Sequence, residues 1–126
     1  MNIQKINSSL LANTNEEYLA LLASDADWFI RSIEDINNLK VAKIEPFTKL
    51  SEVNFEKFVK SLTFSQGGLG HANYQPLMEE LTLTEIFNIF SYFGLGIIKV
   101  LDYADMRCSG PSTCVSQNFS ICTSSC

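Results

Sequence analysis

Apolar residues recur at Tyr18, Leu19, Leu22, Ala26, Phe29, Ile30, Ile33 and Ile36, mostly in steps of three and four. That spacing predicts an amphipathic helix running to about Leu39, capped by Thr14 or Asn15, with Glu16 and Glu17 in its first turn. Ser24 and Asp25 are weak helix formers and mark a point where it can divide in two. Residues 1–13 read as a frayed or lightly docked arm. Val41 to Leu50 contains Pro46 and reads as a connection, with a short extended piece open at Val41 to Ile44.

A second helix starts at Ser51. Val53, Phe55, Phe58, Val59 and Leu62 supply its apolar face, and Glu52, Glu56, Lys57 and Lys60 its wet one. It gives way to Ser65–Asn73, whose three glycines predict the most flexible stretch before the C-terminus. Pro76 and Leu77 suggest one helical turn. Thr82 or Thr84 then caps a third helix, apolar on all sides from Ile86 to Leu101 and therefore buried on several. Gly94 and Gly96 predict a kink in it. The β-branched residues leave a strand reading open for Ile97 to Leu101, and Asp102 to Arg107 return to polar sequence as a seam.

The last nineteen residues break every pattern. They run from Cys108 to Cys126, hold all four cysteines and no charged side chain, and twelve of them are Cys, Ser or Thr. The fold class expected is therefore all-α: a three- or four-helix domain at 1–107 and a disordered Cys/Ser/Thr-rich tail at 108–126. The tail offers too little apolar surface to offset its ordering entropy.

Composition narrows the function classes. A net charge of -5 and a pI near 4.7 argue against nucleic acid and anionic membranes as partners. The longest apolar run, Ile86 to Ile98, has thirteen residues, short of the ~20 that span a bilayer. The first residues do not resemble a secretory signal, which places synthesis in the cytosol, where cysteines stay reduced.

Four chemistries compete for the tail. The spacing C-x5-C-x7-C-x3-C is poor for structural zinc, and His71 is the only histidine. A disulfide-stapled toxin or bacteriocin domain is a second reading; four cysteines permit three pairings, but they need an oxidising compartment. Catalysis is a third: a cysteine nucleophile needs a base, and His71 in a Gly-rich loop is a poor one. Gly67-Gly68 lacks the context of a phosphate loop and reads as a loop rather than a double-glycine cleavage site. The fourth makes the tail a substrate. Hydroxyls are eliminated and thiolates close rings at high effective concentration, or a thiol or hydroxyl attacks the preceding carbonyl to form an azoline.

On these residues the tail resembles the core peptide of a lanthipeptide precursor, a ribosomally synthesised and post-translationally modified peptide. Ile121-Cys-Thr-Ser-Ser-Cys126 is similar to adjoining rings of nisin-like cores. The resemblance implies dehydration of Thr123 and its joining to Cys126, of Ser116 or Ser120 to Cys122, and of Ser109, Ser112 or Thr113 to Cys114. Ser124 and Ser125 are further modification candidates. Cys108 has no hydroxyl before it in the tail, so its ring closes onto a later Ser or Thr, and azoline formation stays open. A cut near Arg107 would release the tail.

The expected function is thus a precursor, not an enzyme, that needs no cofactor. Its leader binds a modifying enzyme (a dehydratase and cyclase, or a cyclodehydratase), and a peptidase and transporter follow. The precursor is cytoplasmic and the mature peptide is secreted as an antimicrobial or signal. Trp28 is a candidate anchor for the enzyme or a core residue. The rival reading is a small helical interaction protein whose tail binds metal or senses oxidation.

Overall fold

A computed structural model describes residues 11–110 and 113–123. Residues 1–10 of the expected N-terminal arm lie outside them. The helices are α1 (Asn15–Ala23), α2 (Ile33–Val41), α3 (Glu52–Ser61), α4 (Gln75–Met78), α5 (Leu83–Ser91) and α6 (Ile97–Tyr103); the strands are β1 (Thr63–Ser65), β2 (Gly68–Asn73), β3 (Ala104–Gly110) and β4 (Thr113–Cys122). The expectation of an all-α fold is wrong. The four strands form one sheet in the order β1-β2-β4-β3, with every neighbouring pair antiparallel.

The helices begin where short polar side chains satisfy free backbone N–H groups. Thr14, Ser32 and Ser51 accept from Glu17, Asp35 and Asn54 at the starts of α1, α2 and α3. Thr82 and Glu85 form a reciprocal capping box on α5. The long first helix does divide at Ser24, but into two helices separated by a nine-residue loop. Arg31 holds that loop. Its guanidinium donates to the carbonyls of Leu22, Ser24, Ala26 and Gly67 at 2.9–3.1 Å and lies 4.3 Å from the centre of the Phe29 ring.

The apolar third helix is also two helices. Gly94, at φ +89, turns the chain between α5 and α6, and a Cβ there would overlap Leu21. The returning backbone pairs with the segment before α1: Ala12 donates to Gly94 at 2.9 Å and Gly96 to Ala12 at 2.8 Å. Tyr18, Phe29, Phe47, Phe58, Phe90 and Phe93 are buried between the helices and the sheet. Not every apolar residue goes inside. Val53, Leu83, Ile97, Ile98 and Leu101 are exposed.

The stretch expected to be most flexible is strand. Gln66 and Gly67 turn β1 into β2, and Gly68, Leu69, Gly70 and Ala72 are buried. Gly68 is required by close approach, since a Cβ would collide with Leu22 and Tyr18. His71 lies on β2 rather than in a loop, half-buried, with Nδ1 3.3 Å from the Ser61 carbonyl.

The tail shows the largest departure. The polar seam 102–107 continues α6 and enters β3, and the sequence expected to be disordered completes the sheet. The proposed boundary at Arg107 falls inside β3. β4 is an inner strand, paired on one side to β2 (His71 with Cys122, Ala72 with Ile121, Asn73 with Ser120) and on the other to β3. The ordering entropy of the tail is offset by the body rather than by a core within the tail. The exposed edge of β2, formed some fifty residues earlier, supplies both the backbone partners and the buried surface for Ile121.

Candidate functional site

β4 is not straight. Cys114 and Cys122 are eight residues apart, yet their Cα atoms are 5.9 Å apart and their sulfurs are bonded. An extended strand of that length would separate them by about 26 Å. The bend follows from the pairing. Met106 faces Ser116 while Ala104 faces Ile121, so two steps along β3 correspond to five along β4. The surplus residues bulge outward, with Phe119 at φ 64 opposite Asp105 at φ 61.

Asp105 clasps this bulge. Its Oδ1 accepts from the Phe119 N–H at 3.0 Å and from the Tyr74 hydroxyl at 2.5 Å. The Tyr74 hydroxyl, and then the Phe119 N–H, hold the Asp105 carboxyl below its usual range. Tyr74 moves the other way, pushed up to about 12, first by burial and then by its bond to Asp105. Its ring packs 6.3 Å from that of Phe119, whose carbonyl accepts from the Tyr74 N–H at 2.8 Å. The charge at Asp105 thus links the outer part of the tail to the body.

The end of the described chain is held more deeply. Thr123 donates its hydroxyl to the Leu69 carbonyl at 2.7 Å and its N–H to the Gly70 carbonyl at 2.9 Å. Its own carbonyl accepts from Nζ of Lys99 at 3.1 Å. Lys99 is 1 % exposed; its ammonium also donates to Asn15 Oδ1 at 3.1 Å and lies 5.7 Å from the centre of the Tyr18 ring. Burial pushes the Tyr18 hydroxyl up from its usual value, and it donates to the same Leu69 carbonyl at 2.7 Å. One lysine amid apolar residues was the sequence signal for this anchor; it directly follows the Ile86 to Ile98 run and reads there only as its flank.

The expected modification residues fall into two groups. Ser109, Thr113 and Ser116 are exposed, and Cys108 and Cys114 are half-buried. Ser120, Cys122 and Thr123 are buried. Ser112, Ser124, Ser125 and Cys126 lie outside the described residues. Arg107, the expected cleavage point, is exposed on β3. Trp28 is half-buried edge-on against Phe29, with centroids 5.2 Å apart. Cys108 is disulfide-bonded too, so no described cysteine is a free thiol. A cystine sulfur is neither a thiolate nucleophile nor a metal ligand until it is reduced. Among the described residues, no three or more His, Cys, Asp or Glu side chains gather as a metal site, and no helix is long and apolar enough to cross a membrane.

Sequence reasoning missed a second feature. Ile121 of β4 also forms the floor of an apolar cleft between α4, α5 and α6, with a volume of about 310 Å³. No protein-family model, curated protein or solved structure matches the chain.

Proposed function

We propose that this chain is an exported, disulfide-bonded binding protein of the bacteriocin kind, in which the α/β body is the scaffold and residues 108–119 are the contact surface. The observation that carries this reading is the Cys114–Cys122 bond, which ties the exposed outer part of the tail to its buried root. A cystine-fixed loop loses little conformational freedom on binding, which favours recognition by a rigid surface. From Cys108 onward that surface has no charge, and among its described residues the exposed side chains are Ser109, Thr113, Ser116, Gln117, Asn118 and Phe119. Such a surface recognises by hydroxyl and amide hydrogen bonds and one aromatic face. Persistent cystines imply an oxidising compartment, and hence export.

A second reading keeps the tail as a substrate for a lanthipeptide-type or azoline-forming enzyme. The observation that favours it is the exposure of Ser109, Thr113 and Ser116 on the same hairpin as Cys108 and Cys114. In this revised form the leader is the folded α/β body, and the enzyme must draw Ser120 to Thr123 out of the sheet to modify them.

The intact mass of the chain from its producing cells separates the two. The first reading predicts a loss of about 2 Da per bridge, reversed by reductant, in the exported fraction. Losses of about 18 Da per modified residue, resistant to reductant, overturn it in favour of the second. A fully reduced, unmodified chain confined to the cytosol contradicts both.

A further inference from the structure

The cleft under the tail has the form of a small-molecule site. Its floor is buried Ile86, Phe90, Val100 and Ile121, none more than 7 % exposed. Its rim is Met78, Leu83 and Leu101, which are 52–66 % exposed. Exposing three large apolar side chains around an apolar hollow costs solvation free energy that a ligand would recover. The volume, about 310 Å³, lies at the lower end of the roughly 300–1,000 Å³ range of small-molecule sites. That volume is small for an amphipathic helix, which needs anchor pockets over two turns.

The head group can be read from the mouth. Among the described residues, the only polar side chain in the wall is Tyr74, and its hydroxyl is already donated to Asp105 at 2.5 Å. Asp105 follows Ala104, which is itself in the wall, and is exposed. The described wall contains no Lys, Arg or His. Asp105 is not itself in the wall, but its carboxylate, bonded to the wall residue Tyr74, would repel an anionic head lodged beside Tyr74 and attract a cationic one.

We infer that this cleft binds a free, single-chain amphiphile with a cationic head, its alkyl chain against Ile86, Phe90 and Ile121 and its head beside Asp105. The site is independent of what the outer hairpin recognises. Because Ala104 and Ile121 come from the two strands of that hairpin, the cleft exists only while the hairpin is seated.

Calorimetric titration of the oxidised full chain with decyltrimethylammonium and with decanoate, both below micelle formation, tests this. The expected result is saturable 1:1 binding, with the cation roughly fivefold or more tighter than the anion. Asp105→Asn should remove that preference. Ala104→Leu, which fills the cleft, should weaken the cation roughly tenfold, with the melting temperature unchanged or raised. Should Ala104→Leu fail to fold, Leu101→Gln on the exposed rim serves instead, with the same direction expected. The inference is overturned by absence of saturable binding, by an affinity in the filled or rim variant equal to that of the wild type, by tighter binding of decanoate, or by a dimer in sedimentation that occupies the cleft.

Discussion

The root and the outer part of the C-terminal hairpin share a composition and differ in everything else. Cys122 and Thr123 at the root are 0–1 % exposed; Cys122 sits opposite His71 of β2, and Thr123 is hydrogen-bonded to Gly70 and held by Lys99. Ser109, Thr113 and Ser116 in the outer part face water. Whether a described hydroxyl of this hairpin is structural or available for recognition or chemistry depends on which side of the Asp105–Phe119 bulge it lies. The same residue types, a few positions apart, are core on one side and surface on the other.

The contrast breaks most readily at the root. Ile121→Asp places a charge in the core beside Phe90 and is expected to cost at least ~4 kcal/mol, a large share of a typical domain's ~5–15 kcal/mol. Ile121→Ala is expected to cost ~3 kcal/mol, read from urea melts. Next comes the cystine. Reducing it, or replacing Cys114 and Cys122 together by Ala, is expected to cost ~2.5 kcal/mol from the eight-residue separation. Wild-type protein should then melt lower in reductant, while the double variant should no longer respond to loss of this bond. Thr123→Val keeps the shape but removes the hydroxyl donated to Leu69; since Tyr18 still serves that carbonyl, ~1 kcal/mol is expected.

Acid should act on the clasp. The Asp105 and Glu85 carboxyls are both held down, Asp105 by Tyr74 and Glu85 to about 2, first by Lys49 and then by the Thr82 N–H. A depressed carboxylate contributes stability that is complete above its unfolded value and lost as pH falls through its folded one. These carboxylates should therefore leave stability flat from about pH 5 to about pH 9, below the range where the raised Tyr18 and Tyr74 come into play, and make it decline toward pH 2. Asp105→Asn should remove the part of that decline reported by Phe119, and the Lys49–Glu85 pair should give the part reported by α5. The smallest effect is expected outside the bulge, where Ser116→Ala should change stability by less than ~0.5 kcal/mol.

Much of the helical body was legible because helix signals are local. Tyr18, Leu22, Ile36, Phe55, Phe58 and Phe90 are buried on helices as their spacing requires, whereas Phe29 and Ile30 of the first series are buried from the loop after α1, and Leu19 and Ile33 are exposed. Thr82 with Glu85 is a capping box spanning four residues, visible without knowing what it packs on. The sheet was not legible for the converse reason. Gly68 reads as a loop residue until α1 is placed against it, and Ile121 is one apolar residue among hydroxyls until β2 offers an edge. Cysteine spacing alone does not select a pairing, and only the bend of β4 brings Cys114 to Cys122. Ile97, Ile98 and Leu101 misled in the opposite direction: an all-apolar helix reads as buried, but the Gly94–Gly96 turn leaves one face of α6 in water. The cleft, assembled from three helices and two strands, has no signature in any single segment.

Amide hydrogen exchange, followed residue by residue through the C-terminal strand, tests the central claim most directly. The N–H groups of Ile121 and Thr123, which face β2, should exchange as slowly as those of β2, while those of Ser116 to Asn118 should exchange orders of magnitude faster in the same oxidised sample. Uniform exchange at the unfolded rate from Cys108 to Thr123, alongside a protected helical core, would show that the tail is not part of the sheet and contradict the account.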